Sequence, residues 1–169
     1  MKISDFRTSK MRERVVKPLI VSVFICGIIA AFANKYTLYY EMKSNGCLHA
    51  TLFLVTKDKD IHLGNLITIE GKGMPKLPDK YNYTKMIGGL PGDTVSFDGL
   101  YITTSSGFKR YAPVPNEYYE LKEKHNLPSS WVIPKGKIFL FGDSITSLDS
   151  RVVGLADIDY VIGRTYALY

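Results

Sequence analysis

The chain has 169 residues, 46% of them hydrophobic, which is room for one compact domain and an appendage but hardly for two domains. Its two cysteines are too few for a disulfide scaffold, neither stands in a CxxC or Cys/His spacing that would hold zinc, and His49, His62 and His125 are scattered, so a metal site is not expected. The net charge is +6, but residues 1–17 carry six basic side chains against two acidic ones, which leaves only +2 for the rest and no call for a nucleic-acid partner.

Behind this basic head runs "PLIVSVFICGIIAAFA", Pro18 to Ala33, without a charge. At about 1.5 Å per residue it spans roughly 24 Å, short of a ~30 Å hydrocarbon core unless Val15, Val16 and the flanks contribute. Two readings stand. A cleaved signal peptide would use the small residues of "AFA" as its cleavage site, whereas a retained anchor fits the long head and an apolar run longer than a usual signal core. The anchor reading divides the chain into a cytoplasmic head (1–17), a membrane-spanning segment in lipid (18–35) and an exported domain (36–169), oriented by the positive-inside rule. Cys26 then lies in the apolar run and Cys47 in the exported domain, so the two can hardly pair. An unpaired exported thiol calls for a reason.

From Tyr36 onward, short β-branched and aromatic runs alternate with Gly, Pro, Asn and Asp. Strands are expected near 37–42, 51–55, 65–70, 83–88, 94–98, 100–104, 137–141 and 160–168, which makes the domain mainly β. "FDGLYI" reads as a hairpin with Asp98 and Gly99 at the centre of a type I′ turn. "GKGMPKLPDK" (71–80) is a Gly/Pro loop. Residues 105–136 read as a long insertion with one short helix in "NEYYELKEKH". It is either a surface excursion whose Tyr118, Tyr119 and Trp131 pack onto the domain, or a substrate contact.

Three boxes carry the chemistry: Cys47 in "NGCLHATLFLV" (45–55), "KMIGGLPGD" (85–93) and "GDSITSLDSRVVG" (142–154). Alone, each has a plain explanation. Cys47 would be a small buried hydrophobe, "LPGD" a turn, Lys85 a stem lying over apolar surface, and Asp149 with Arg151 a capped turn. In this order behind one N-terminal anchor, they resemble the bacterial type I signal peptidase family. The short chain with "CLHATLF" at the nucleophile box is similar to its conjugative-plasmid, pilin-processing branch, the TraF type. The likeness runs from the anchor to "GRTYALY", with 105–136 outside it.

The resemblance implies a signal-peptidase-like β-barrel or sandwich domain with one N-terminal transmembrane helix, set in the bacterial inner membrane with the domain in the periplasm. It implies that Cys47 takes the place of the nucleophilic serine and Lys85 that of the general base, a lysine that must be neutral to accept a proton. Ser147 falls on the serine that orients the lysine, and Asp149 and Arg151 on a structural pair behind the site. Asn45 stands where the family has a hydroxyl donor to the oxyanion, alongside the Cys47 backbone N–H. No metal or other cofactor is called for, since the dyad and the oxyanion donors complete the chemistry.

The sequence also departs from the family pattern. Cysteine replaces serine, Asn65 stands for a common Asp, Met86 for the usual arginine, no proline follows Cys47, and the third box is one residue shorter between Asp143 and Ser147. A thiol is a stronger acid than a hydroxyl and leans less on Lys85. Its acyl-enzyme would be a thioester, which favours an amine acceptor over water more than an ester does. The expected function is therefore a membrane-anchored Cys/Lys endopeptidase that trims, and by transpeptidation cyclises, a conjugative pilin, with the conjugative secretion machinery as a further partner. Three alternatives remain: a general signal peptidase acting on secreted preproteins, an inactive peptidase-like protein that binds pilin, and a purely structural anchored β protein.

Overall fold

The structure, a computed structural model, describes residues 12–40, 48 and 50–168. The chain divides into two units, residues 1–37 and 38–169.

In the first unit a turn of π-helix, Arg12–Val16, leads into helix α1, Lys17–Lys35, with Pro18 in its first turn, where a missing backbone N–H costs nothing. Val15, Val16 and the flanks extend the helix: the continuous helical stretch Glu13–Lys35 has 23 residues, and its most apolar 18-residue window has a mean hydropathy of 2.4 and no buried residue. At about 1.5 Å per residue the whole stretch is roughly 34 Å long. Leu19, Ile20, Phe24, Ile28 and Phe32 are all exposed, so this is not the core helix of a folded domain. Among the described residues it is the one helix long and apolar enough to cross a membrane. Lys17 and Glu13 form an exposed ion pair at its start.

The second unit is mainly β. In chain order the strands are β1 (Tyr36–Tyr40, entering from the first unit), β2 (Leu52–Thr56), β3 (Leu66–Glu70), β4 (Asn82–Gly89), β5 (Thr94–Phe97), β6 (Tyr101–Thr104), β7 (Lys109–Tyr111), β8 (Ser130–Val132), β9 (Lys137–Phe141), β10 (Ala156–Asp157) and β11 (Val161–Ala167). Two short helices join them, α2 (Glu117–Lys124) and α3 (Ser150–Val153). Seven strands form one sheet in the order β1-β2-β11-β3-β4-β9-β10, and four form a second in the order β7-β6-β5-β8. The registered pairs in both are antiparallel.

Each of the eight expected strand segments overlaps an observed strand. β7, β8 and β10 are additional, and their two or three residues leave no alternation to read. β7, "KRY", is exposed at every position. Residues 105–136 contain β7, α2 and β8, and the two strands flank β6 and β5, so this segment supplies both edges of the second sheet. The β5–β6 hairpin is shifted by one residue from expectation. Phe97 lies opposite Ile102, and the positive φ falls on Gly99 (99°) but not on Asp98. The central residues are Gly99 and Leu100, as a type II′ turn requires. The Asp98 carboxylate instead accepts hydrogen bonds from the amides of Leu100 and Tyr101, at 2.8 and 2.6 Å, and these hold it below the ordinary carboxylate range.

Two apolar cores follow from this arrangement. One gathers Ile67, Ile69, Ile87, Ile138, Leu140 and Val152, and the other gathers Val95, Phe97, Ile102, Trp131, Phe139 and Phe141. β9 feeds both, because its alternate residues Ile138 and Leu140 face one and Phe139 and Phe141 the other. Trp131 meets Phe139 edge-on at 5.0 Å.

β11 bulges between Val161 and Gly163, where it comes so close to the chain leaving β2 that a Cβ on Gly163 would lie 1.6 Å from the carbonyl oxygen of Thr56. Only glycine fits. Gly163→Ala is expected to cost about 3 kcal/mol, seen as a lower urea midpoint; an unchanged midpoint would mean that the two strands are not so tightly apposed.

Candidate active site

The second sequence box begins inside β4, an interior strand paired with β3 on one side and β9 on the other. Lys85 stands opposite Ile67 and is wholly buried. An amine there must find a partner within the protein. Lys85 Nζ donates to Ser147 Oγ at 2.8 Å. The strand ends in "LPGD", a turn with Pro91 at its second position and Gly92 (φ 93°) at its third, as a type II turn demands. The Asp93 amide donates to Leu90 O and its carboxylate accepts from the Leu90 amide, which closes the turn into β5. The box thus fixes the lysine on a rigid strand and turns the chain away immediately behind it.

The third box follows β9. All five N–H groups of the buried Arg151 guanidinium have partners: Asp149 Oδ1 and Oδ2 at 2.8 and 2.6 Å, and the carbonyls of Ala112, Pro113 and Gly142 at 2.6, 3.1 and 3.2 Å. Asp149 also accepts from the amide of Gly142 at 2.9 Å and caps α3 through the Arg151 amide. Burial alone would raise the Asp149 carboxyl; the charge and hydrogen bonds of Arg151, together with the Gly142 amide, outweigh it and hold the carboxyl below its ordinary value. Ser150 is equally buried and accepts from the Leu140 amide at 2.9 Å. Every polar side chain of "SLDSR" therefore binds a different part of the domain.

The structure brings Lys85, Ser147, Asp149 and Arg151 together, and Ser147 reaches the lysine although the box is one residue short. Asn45 and Cys47 lie outside the described residues. Leu48, the next residue after Cys47, is buried and lines a pocket of ≈ 220 Å³ that Lys85, Tyr39, Phe53, Thr68 and Thr84 also line. The Thr68 hydroxyl bonds those of Thr84 (3.1 Å) and Thr165 (2.8 Å), so its polar wall is satisfied without a ligand. The two sequence departures flanking the site have simple roles. Asn65 Oδ1 accepts from the His62 amide, as an Asp would, and Met86 packs against the second core. Sequence reasoning passed over Ser150, which stood inside the third box without an assigned task, and gave Tyr118 no place beside the third box, reading its segment as surface packing or a substrate contact.

The family model for signal peptidase, peptidase S26, matches residues 11–169. The chain belongs to this signal peptidase family. Similar proteins include signal peptidase IB of Staphylococcus aureus strains Mu50 / ATCC 700699 and N315, each 37% identical over 101 residues, covering 49% of this chain and 50% of the relative. The chain thus spans about half the length of these relatives. Among solved structures, a signal peptidase I from Enterococcus faecalis V583 aligns with a TM-score of 0.42 and 20% identity, over 63% of this chain and 97% of that one.

Proposed function

We propose that this signal peptidase family member is a membrane-anchored endopeptidase that removes leader peptides from exported preproteins. Lys85 is the general base, Ser147 the hydroxyl that orients it, Cys47 the nucleophile, and Asn45 with the Cys47 amide the oxyanion donors. The observation that carries the reading is the wholly buried Lys85 bonded to Ser147 Oγ in the wall of a pocket shared with Leu48. A buried amine whose partner among the described residues is one hydroxyl is costly to keep for structure alone, whereas a base needs this dry, fixed setting.

In the proposed reaction the Cys47 thiol gives its proton to the neutral Lys85 amine and its sulfur bonds to the scissile carbonyl carbon. The tetrahedral oxyanion collapses, the C–N bond breaks, and the Lys85 ammonium returns its proton to the leaving amine. Water then gives a proton to Lys85 as its oxygen bonds to the thioester carbonyl carbon; the C–S bond breaks, the Cys47 thiolate takes the proton back from the Lys85 ammonium, and the acid product leaves and ionises to a carboxylate. The pair Asp149/Arg151 takes no part in proton transfer; it holds the loop that carries Ser147. The apolar part of the helix Glu13–Lys35, from Pro18 onward, serves as the anchor, with residues 1–17 cytoplasmic and residues 36–169 on the outer face, so that the site meets its substrate beside the membrane. Cleavage of a preprotein with small residues before the cut should be lost with Cys47→Ala and retained in part with Cys47→Ser. Full activity of the alanine variant would remove Cys47 from the mechanism.

Cysteine in the place of serine favours a second, narrower reading, in which the substrate is a conjugative pilin and its own N-terminal amine takes the place of water. An intact mass of the processed pilin about 18 Da below the trimmed linear chain, the loss of one water on amide formation, supports it; the linear mass refutes it.

A further inference from the structure

Ser147 is 1% exposed, yet its neighbours Ile145, Thr146 and Leu148 all face solvent, so one buried hydroxyl is carried on an otherwise exposed loop. The loop has bonds of its own. The Ser147 amide donates to Ser144 O at 3.1 Å, the Thr146 amide to Ser144 Oγ at 3.3 Å, and the hydroxyls of Ser144 and Thr146 lie 3.0 Å apart. These bonds shape the loop but do not fix it to the domain. After Ser147 it is fixed by Asp149, through Gly142 and Arg151. Before Ser147 it is fixed at two points: Arg110 of β7 pairs with Asp143 at 3.4 Å, and, next to Ser147 itself, the Tyr118 hydroxyl of α2 donates to the carbonyl oxygen of Thr146.

α2 is itself well held. The Tyr118 ring packs on the first apolar core, His125 Nδ1 lies 2.8 Å from Val152 O at the end of α3, and Arg151 binds the carbonyls of Ala112 and Pro113 just upstream. The segment 112–125 therefore clasps the third box at three places, and only the Tyr118 contact is adjacent to Ser147 in the chain.

We infer that Tyr118 is a positioning residue for the lysine: by holding the Thr146 carbonyl it fixes Ser147 Oγ within hydrogen-bond reach of Lys85 Nζ. The inference rests on the roles proposed above for Lys85 and Ser147. Among the described residues Tyr118 is not part of the pocket lining, so its removal is expected to alter the rate of the chemical step more than the binding of substrate.

The test is Tyr118→Phe, which keeps the ring on the core and deletes one hydroxyl, measured in the full-length protein in detergent with a leader-peptide substrate. The expected result is a kcat lower by about threefold to tenfold, the scale of one hydrogen bond, with KM unchanged. Amide hydrogen exchange of residues 144–148 should quicken while that of β4 stays as it was. An unchanged kcat, or a loss shared with KM and with faster exchange throughout the domain, overturns the inference. Lys85→Met in the same assay separates this failure from that of the functional reading. If it is inactive while Tyr118→Phe behaves as wild type, only the role of Tyr118 falls; if it is fully active, the lysine is no base and the functional reading falls with it.

Discussion

On the proposed mechanism, Lys85→Met is expected to lower kcat for leader-peptide cleavage by about 10²- to 10⁴-fold, the usual contribution of a positioned general base. Methionine keeps the length and the apolar stem of lysine and removes only the amine, so the interior of β4 stays filled and the protein folds. Two features set the size of the effect. Lys85 is wholly buried between two paired strands, so bulk water cannot replace it as proton acceptor. Its amine is also bonded at 2.8 Å to Ser147 and therefore arrives at the reaction already oriented. Because a thiol is a stronger acid than a hydroxyl, the loss should lie toward the lower end of the range in the native background and deepen when Lys85→Met is combined with Cys47→Ser. Equal losses in the two backgrounds would mean that Lys85 does not take the nucleophile's proton.

Arg151→Met is expected to destabilise the β domain by about 3–5 kcal/mol, measured by urea unfolding, because it leaves a buried carboxylate without its counter-charge. The same change strands the carbonyls of Ala112, Pro113 and Gly142, each bonded to the guanidinium. Arg151→Lys rescues little, since an ammonium cannot reproduce a five-donor fork. Asp149→Asn adds a pH signature. The Asp149 carboxyl is held below its ordinary value of 3.8 in the folded protein, so the unfolded chain takes up its proton first as pH falls. Its contribution to stability is complete above that ordinary value and is lost as pH drops through the lower folded value. Wild type should therefore lose stability more steeply below pH 3.8 than Asp149→Asn does. Parallel curves would show that the carboxylate titrates alike in both states.

The apolar run after Pro18 and the mainly β domain were legible in the chain, and the family resemblance singled out Lys85, Ser147, Asp149 and Arg151. Strands such as Lys137–Phe141 could be found because each residue of a buried strand must match a local environment, and that demand is written in hydrophobicity and β-branching. The three boxes were recognised by their order, through the family resemblance; the structure supplies physical reasons for two of them, since "LPGD" forms a type II turn and the Asp149 and Arg151 of "DSR" satisfy one another when buried. The three-residue strand Lys109–Tyr111 was not legible, since an exposed edge strand owes its existence to the backbone of its neighbour and not to its own side chains. The hairpin at Asp98 was misread by one position, because Asp and Gly both suit a positive φ and only the register of Phe97 against Ile102 decides which residues lie at the centre.

The sequence by itself determined the kinds of parts: an anchor-like helix, strands, a lysine on a strand and an acid–base pair beside a serine. Their types follow from composition and short-range spacing, which are local properties. Tertiary structure alone decided that Ser147, 62 residues from Lys85, lies at hydrogen-bond distance from it, that residues 105–136 complete the second sheet, and that Tyr118 reaches the carbonyl beside Ser147. Such contacts join segments far apart in the chain. They depend on how two sheets and two short helices pack at once, and no window of neighbouring residues encodes that.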